Sequence, residues 1–191
     1  MATKIILCLT LGAETLALLA SLFSALFPKR QLWPPSHRRA WQAYVMWALF
    51  IASGAGVIAL GLMDWDANPL APWLQWAVGA PLWVGGGGLA LWATQGLGLA
   101  PTLGDAQGLT QRGPYRFSRN PQYVGYSVSL IGWAMMTSST LTFVAAAVGI
   151  GAFIVAPFAE EPWLLKQYGS TYEAYMRAVP RFVGMGNPRK Q

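Results

Sequence analysis

Residues 121–157 read PQYVGYSVSLIGWAMMTSSTLTFVAAAVGIGAFIVAP. A helix that crosses a bilayer needs about 20 mostly apolar residues. This run is too long for one such helix and too short for two joined by a long loop. Thr137-Ser138-Ser139-Thr140 stands at its middle. That placement predicts a tight helical hairpin, helices four and five, turning at the polar tetrad.

Working outward, three more apolar runs precede the hairpin. The first is Thr3–Phe27, ended by Pro28 and the basic pair Lys29-Arg30. It is too long for a signal-peptide core, carries Glu14, and has no clear small-residue cleavage site, so it reads as a retained helix. The second is Trp41–Met63, closed by Asp64, Asp66, Asn68 and Pro69; the third is Pro72–Thr94. A glycine-rich polar loop, Gln95–Asn120, leads into the hairpin, and an amphipathic helix over Glu160–Ala178 is expected to leave the membrane. The predicted fold is all-α: a polytopic membrane bundle of about five transmembrane helices with a helix-turn-helix hairpin and a C-terminal amphipathic helix. Residues 1–191 are expected to form one membrane domain. Residues 1–94 supply the first three helices, and 95–191 the loop, hairpin and C-terminal helix of the catalytic part.

Composition agrees. The chain of 191 residues is 54% hydrophobic, only 10% charged, and carries ten tryptophans. Soluble domains average about 25% charged residues. Mean hydropathy is +0.38. One cysteine, Cys8, and one histidine, His37, cannot build a zinc site or an intrachain disulfide, so no metal is expected. The net charge of +6 is better explained by lipid and topology than by nucleic acid.

The basic residues fall on alternate loops. Lys29, Arg30, Arg38 and Arg39 follow helix one; Arg112, Arg116 and Arg119 follow helix three; Lys166, Arg177, Arg181, Arg189 and Lys190 follow helix five. Only Lys4, with Asp64 and Asp66, falls on the other side. Cytoplasmic loops carry the excess of Lys and Arg. With five spans this places the N-terminus outside and the C-terminus in the cytoplasm, in a multi-pass protein expected in a bacterial inner membrane.

Two segments on the basic side carry candidate chemistry. Gly108–Tyr123 contains Gly113-Pro114-Tyr115-Arg116-Phe117-Ser118-Arg119-Asn120-Pro121-Gln122-Tyr123. It reads as a glycine-hinged loop entering a helix, with Asn120 suited to the N-cap and Pro121 to the first helical position. Free backbone N–H groups and Arg119 there would attract a carboxylate. The second segment begins at Glu160-Glu161-Pro162-Trp163 and runs through Tyr168, Tyr172 and Tyr175 to Val179-Pro180-Arg181. A hairpin puts Asn120 and Glu160 at one membrane face. Arginines as topology anchors, tyrosines as an interfacial belt and acids as dipole partners would each explain one of these features alone. Their combination on one face favours a polar pocket.

Together the two segments resemble the integral-membrane methyltransferases, which include isoprenylcysteine carboxyl methyltransferase and the phospholipid N-methyltransferases. The resemblance covers about residues 94–183. It implies an enzyme that binds S-adenosyl-L-methionine at the cytoplasmic ends of the later helices and takes a lipid or other lipophilic acceptor from the bilayer. By position, Arg119, Asn120, Pro121 and Tyr123 match the cofactor-binding turn, with Gly113 and Tyr115 just before it. Glu160 and Glu161 match the paired acids that contact the cofactor, and Arg181 the closing arginine. Gly96 and Gly98 stand where the phospholipid enzymes carry a Gly-x-Gly signature. The carboxyl methyltransferases usually have histidine where this chain has Asn120, which points toward the phospholipid branch.

Arg119, Glu161, Tyr123 and Arg181 are the expected catalytic set. An anionic acceptor needs no base; an amine must lose a proton, and Glu161 and Tyr123 are then the candidates. Sterol reductases, which use NADPH, share an Arg-His-Pro-x-Tyr turn but generally have more spans. A small non-catalytic scaffold or channel subunit is the other alternative. Gly85–Gly88 reads as a close-packing surface. Glu14 is a functional candidate by default; its place toward the outer half of helix one, away from the motifs, favours a structural partner.

Overall fold

The computed structural model describes residues 1–35, 39–68, 70–98 and 108–184. The turn expected at the polar tetrad is present. Helix α1 spans Ala2–Leu26, α2 Trp41–Met63, α3 Ala80–Leu97, α4 Pro121–Thr137, α5 Thr140–Tyr168 and α6 Ser170–Ala178. Helix α4 stops because Ser138 adopts a left-handed conformation, φ 51°. Helix α5 begins two residues later, capped by Ser139 Oγ, which accepts from Thr142 N at 3.0 Å.

The all-α bundle is therefore as expected: five long helices and one short one, with no strand among the described residues. Helices α1, α2 and α5 are each long and apolar enough to cross a membrane. Helix α3 is extended at its N-terminal end by a π-helical turn, Leu74–Gly79. The side chains that face outward include Leu9, Leu16, Ile51, Trp73, Val84, Leu91 and Ile154. The buried ones are mostly small: Ala90, Ala93, Ala134, Ala145, Ala146, Ala156 and Ala159. That inversion suits lipid, where close van der Waals packing of small residues holds helices together.

One expectation is corrected. The sequence suggested that helix five ends near Pro157 and that a separate amphipathic helix runs over Glu160–Ala178. Instead α5 continues through Pro157 and Pro162 to Tyr168, and the break falls at Gly169, φ 51°. Prolines are tolerated inside helices when neighbouring helices support the freed backbone groups. A glycine with positive φ is the usual terminator. Glu160 and Glu161 thus project from the last turns of a 29-residue helix.

Helices α3 and α4 form one of the most intimate contacts, and glycine makes it possible. A Cβ on Gly86 would lie 2.5 Å from Ser129 N, and one on Gly125 would lie 2.6 Å from Ala90 N. A Cβ on Gly132 would strike the backbone of Trp83. Of the Gly85–Gly88 run, Gly86 serves this contact, while Gly85 and Gly88 face open space.

At the end of the bundle away from the motifs, the α2–α3 connection is tied to the α4–α5 turn. Asp64 Oδ2 accepts from Ser139 Oγ at 2.8 Å and from Leu141 N at 3.0 Å. Asp66 N donates to Thr137 O at 2.8 Å, and Asn68 N to Ser138 O at 3.1 Å. This acidic end also carries Lys4. The opposite, basic end carries Lys29, Arg30, Arg39, Arg112, Arg116, Arg119, Lys166, Arg177 and Arg181. His37, Arg38, Arg189 and Lys190 lie outside the described residues.

Gly132→Ala is expected to destabilise the bundle by about 1–3 kcal/mol, because the α3 backbone cannot yield. Gly85→Ala should be neutral or slightly stabilising. Thermal unfolding of both variants in detergent checks this, and equal midpoints would contradict the packing described.

Candidate active site

The loop before α4 and the segment after α6 lie side by side at the basic end. Arg119 N donates to Pro180 O at 2.9 Å. Asn120 Nδ2 donates to Arg181 O at 2.9 Å, and Ser118 Oγ to the same carbonyl at 3.3 Å. Asn120 does occupy the N-cap position of α4, with Pro121 next, but its side chain makes no cap bond. It spends that amide on the C-terminal segment, while its own N–H is bound by Ser118 Oγ at 3.0 Å. Tyr175 OH donates to Tyr115 O at 2.7 Å, which fastens α6 to the same loop.

Glu161 sits beneath this junction, 6% exposed. Arg181 reaches it with two nitrogens, Nε at 2.9 Å and an NH group at 2.5 Å. Arg119 NH1 lies 2.9 Å from Oε1, and its side chain is 7% exposed. Arg181 also stacks on Phe158, 4.0 Å from the ring centroid. The paired hydrogen bonds to Glu161 raise the pKa of Arg181 above its ordinary value. Although NH1 is close to Glu161, neither it nor Nε of Arg119 has an aligned hydrogen bond, and both atoms are buried.

Glu160, the neighbouring residue on α5, turns elsewhere. Its Oε1 accepts from Trp33 Nε1 at 2.6 Å and from Tyr123 OH. Trp33 comes from the α1–α2 connection, where Gln31 Nε2 also donates to Ala159 O at 3.1 Å. The first connection thus closes over the end of α5.

These groups border one cavity of about 240 Å³. Its polar end is lined by Tyr115, Arg119, Asn120, Tyr123, Glu160 and Tyr172. Further into the bundle it is walled by Trp47, Phe50, Tyr126 and Phe153, and it ends at Glu14 and Ser53. Burial pushes the Tyr115 phenol well above its ordinary pKa, with Tyr175 and Glu160 adding to the shift. Burial and the Glu161 charge take Tyr172 up to about 12. Both phenols are therefore neutral at physiological pH and serve as hydrogen-bonding groups rather than bases.

The structure separates the sequence candidates into two groups. Tyr115, Arg119, Asn120, Tyr123 and Glu160 line the cavity. Glu161 and Arg181 stand behind the wall, holding Arg119 and the C-terminal segment. Pro121 is fully buried at the start of α4. Gly113, φ 58°, packs near the Trp92 ring, where a Cβ would lie 3.6 Å away. Gly98, φ 89°, ends α3, and Gly96 faces open space; Leu97 between them lines the cavity. Arg112 and Arg116 are exposed, so of the three loop arginines only Arg119 turns inward. Trp33, Phe50, Tyr126 and Phe153 escaped the sequence reading, since no local motif marks them. Glu14, which looked remote from the motifs, opens onto the same cavity.

A family model described as phospholipid methyltransferase matches residues 74–171, just over half of the chain. The chain belongs to this family. The match supports a membrane methyltransferase and favours that class over the reductase and non-catalytic alternatives. No curated protein and no solved structure matches the chain. The family region contains the cavity-lining residues of α4 and α5, whereas Trp33, Phe50, Glu14 and Ser53 lie before it.

Removing one member of a buried ion-pair network leaves its partners uncompensated, a cost of about 3–5 kcal/mol. Glu161→Gln should lie near the lower figure because Arg181 is partly exposed (31% of its side chain). Its thermal midpoint should fall, and residues 179–184 should become more sensitive to protease. Arg116→Ala, at an exposed position, should change neither measurement.

Proposed function

We propose that this chain is an S-adenosyl-L-methionine-dependent methyltransferase acting on a lipophilic acceptor at the membrane face that bears its basic loops. The positive-inside rule makes that face cytoplasmic and the N-terminus external. The observation that carries the reading is a cavity joining a charged end, Arg119 with Glu160, to an aromatic interior open to an apolar substrate.

The residues present fit the cofactor. Arg119 lines the cavity; its NH1 is paired with Glu161, and its Nε, buried and without an aligned hydrogen bond, is a donor that a carboxylate would satisfy. Glu160 presents a carboxylate to the cavity, suited to an amino group or hydroxyls. Aromatic faces of Tyr126 and Phe153, stacked at 5.6 Å, suit a cation. When bound, S-adenosyl-L-methionine supplies an electrophilic methyl group on a sulfonium. What the protein contributes is position and exclusion of water. Orientation alone is worth about 7–11 kcal/mol of barrier.

Within that scheme the paired acids divide their work. Glu161 fixes Arg119 and Arg181, so that Arg119 keeps one orientation. Glu160, oriented by Trp33 and Tyr123, faces the bound molecules. If the acceptor is an amine, Glu160 is the carboxylate placed to take its proton, since the Tyr123 hydroxyl already donates to it and both oxygens of Glu161 are held by arginine.

Calorimetry with S-adenosyl-L-methionine tests the cofactor assignment. Arg119→Lys and Glu160→Gln should each weaken binding by about tenfold or more, as loss of a charge-assisted hydrogen bond does. With labelled cofactor and total membrane lipid, the purified protein should transfer label to a lipid fraction. No binding by the wild type would overturn the proposal.

A further inference from the structure

Glu14 is 3% exposed in the middle of α1, a helix otherwise built for lipid. One carboxylate oxygen, Oε1, accepts from Ser53 Oγ of α2 at 3.0 Å. The other, Oε2, is buried and has no hydrogen-bond partner. A carboxylate left half satisfied in an apolar interior is costly.

The surroundings supply a reason for the open valence. Glu14 and Ser53 both line the cavity. Gly149 of α5 makes room for the carboxylate, for a Cβ there would stand 3.1 Å from Oε1. The adjoining wall is aromatic: Phe50 packs on Trp47 at 5.4 Å and on Tyr126 at 5.2 Å. Aromatic faces beside a carboxylate attract a cation. Among the described residues, the one cationic side chain on the cavity wall, Arg119, belongs to the other end. By helix rise, Gly149 and Glu160 are separated by about 16 Å along α5.

We propose that Glu14 and Ser53 form a binding site for the protonated amine of a lipophilic molecule, with Glu14 Oε2 accepting an N–H hydrogen bond. The site does not depend on the cofactor. An amine held here lies about 16 Å along α5 from Glu160, so the site is separate from the end where methyl transfer is proposed.

The test uses the full chain in nanodiscs of neutral lipid, titrated calorimetrically at pH 7 with octylamine, octanol and octyltrimethylammonium, empty discs being subtracted. Octylamine is expected to bind about tenfold or more tightly than octanol. It should likewise exceed octyltrimethylammonium, which has the charge but no N–H donor. Glu14→Gln, which keeps size and the Ser53 contact, should abolish the preference for the amine over the alcohol and leave S-adenosyl-L-methionine affinity unchanged. An amine preference that persists in Glu14→Gln overturns the proposal. So does octyltrimethylammonium binding the wild type as tightly as octylamine, a result that needs no variant to fold. If the wild type shows the amine preference but no cofactor binding, the methyltransferase reading falls and this site stands. If cofactor binds and octylamine shows no preference over octanol, this site falls alone.

Discussion

The ion-pair cluster of Arg119, Glu161 and Arg181 is the constraint on which the basic end depends. Glu161 belongs to the last turns of α5, Arg119 to the entry of α4, and Arg181 to the chain after α6. Around this charge the neutral bonds fall into place: Arg119 N to Pro180 O, Asn120 Nδ2 to Arg181 O, Tyr175 OH to Tyr115 O. A buried ion pair is rarely a net source of stability, because desolvation offsets the attraction. What it supplies here is a defined position. Three segments distant in sequence meet at one carboxylate, and the side chains next to them are thereby aimed at the cavity.

A second layer of order comes from the first connection, which delivers Trp33 to Glu160 and Gln31 to the Ala159 carbonyl. Adjacent acids on α5 consequently lead different lives. They differ by about 100° around the helix axis. One is enclosed by arginines and the other by an indole and a phenol. The cavity then runs from this polar end past stacked aromatic rings to Glu14, which gives it two carboxylate poles separated by an apolar stretch.

How much of this was legible in the sequence depended on how local each feature is. The α4–α5 turn was legible because Thr137–Thr140 is a local polar interruption of an apolar run. The cavity-lining turn was legible because Arg119, Asn120 and Tyr123 stand close together in the chain. Glu160 and Glu161 could be found together but not told apart, since their roles are set by Trp33 and Arg181, which arrive from elsewhere in the chain. Pro157 was misread as a helix end because proline is judged by its lost N–H, whereas within a bundle neighbouring groups support the backbone. Glu14 was placed far from the motifs because distance along α1 was taken for distance from the site; the cavity runs lengthwise and reaches it.

The ties at the acidic end bear on how the molecule can breathe. Asp64 grips the start of α5 through Ser139 and Leu141, and the Asp66 and Asn68 amides hold the α4–α5 turn. The glycine seam then joins α3 to α4 along much of their length. The bundle is therefore clasped at both ends, by hydrogen bonds at the acidic end and by the Glu161 ion pairs at the basic end. A bulky guest reaches the cavity between them only if a clasp loosens or the helices part along their length.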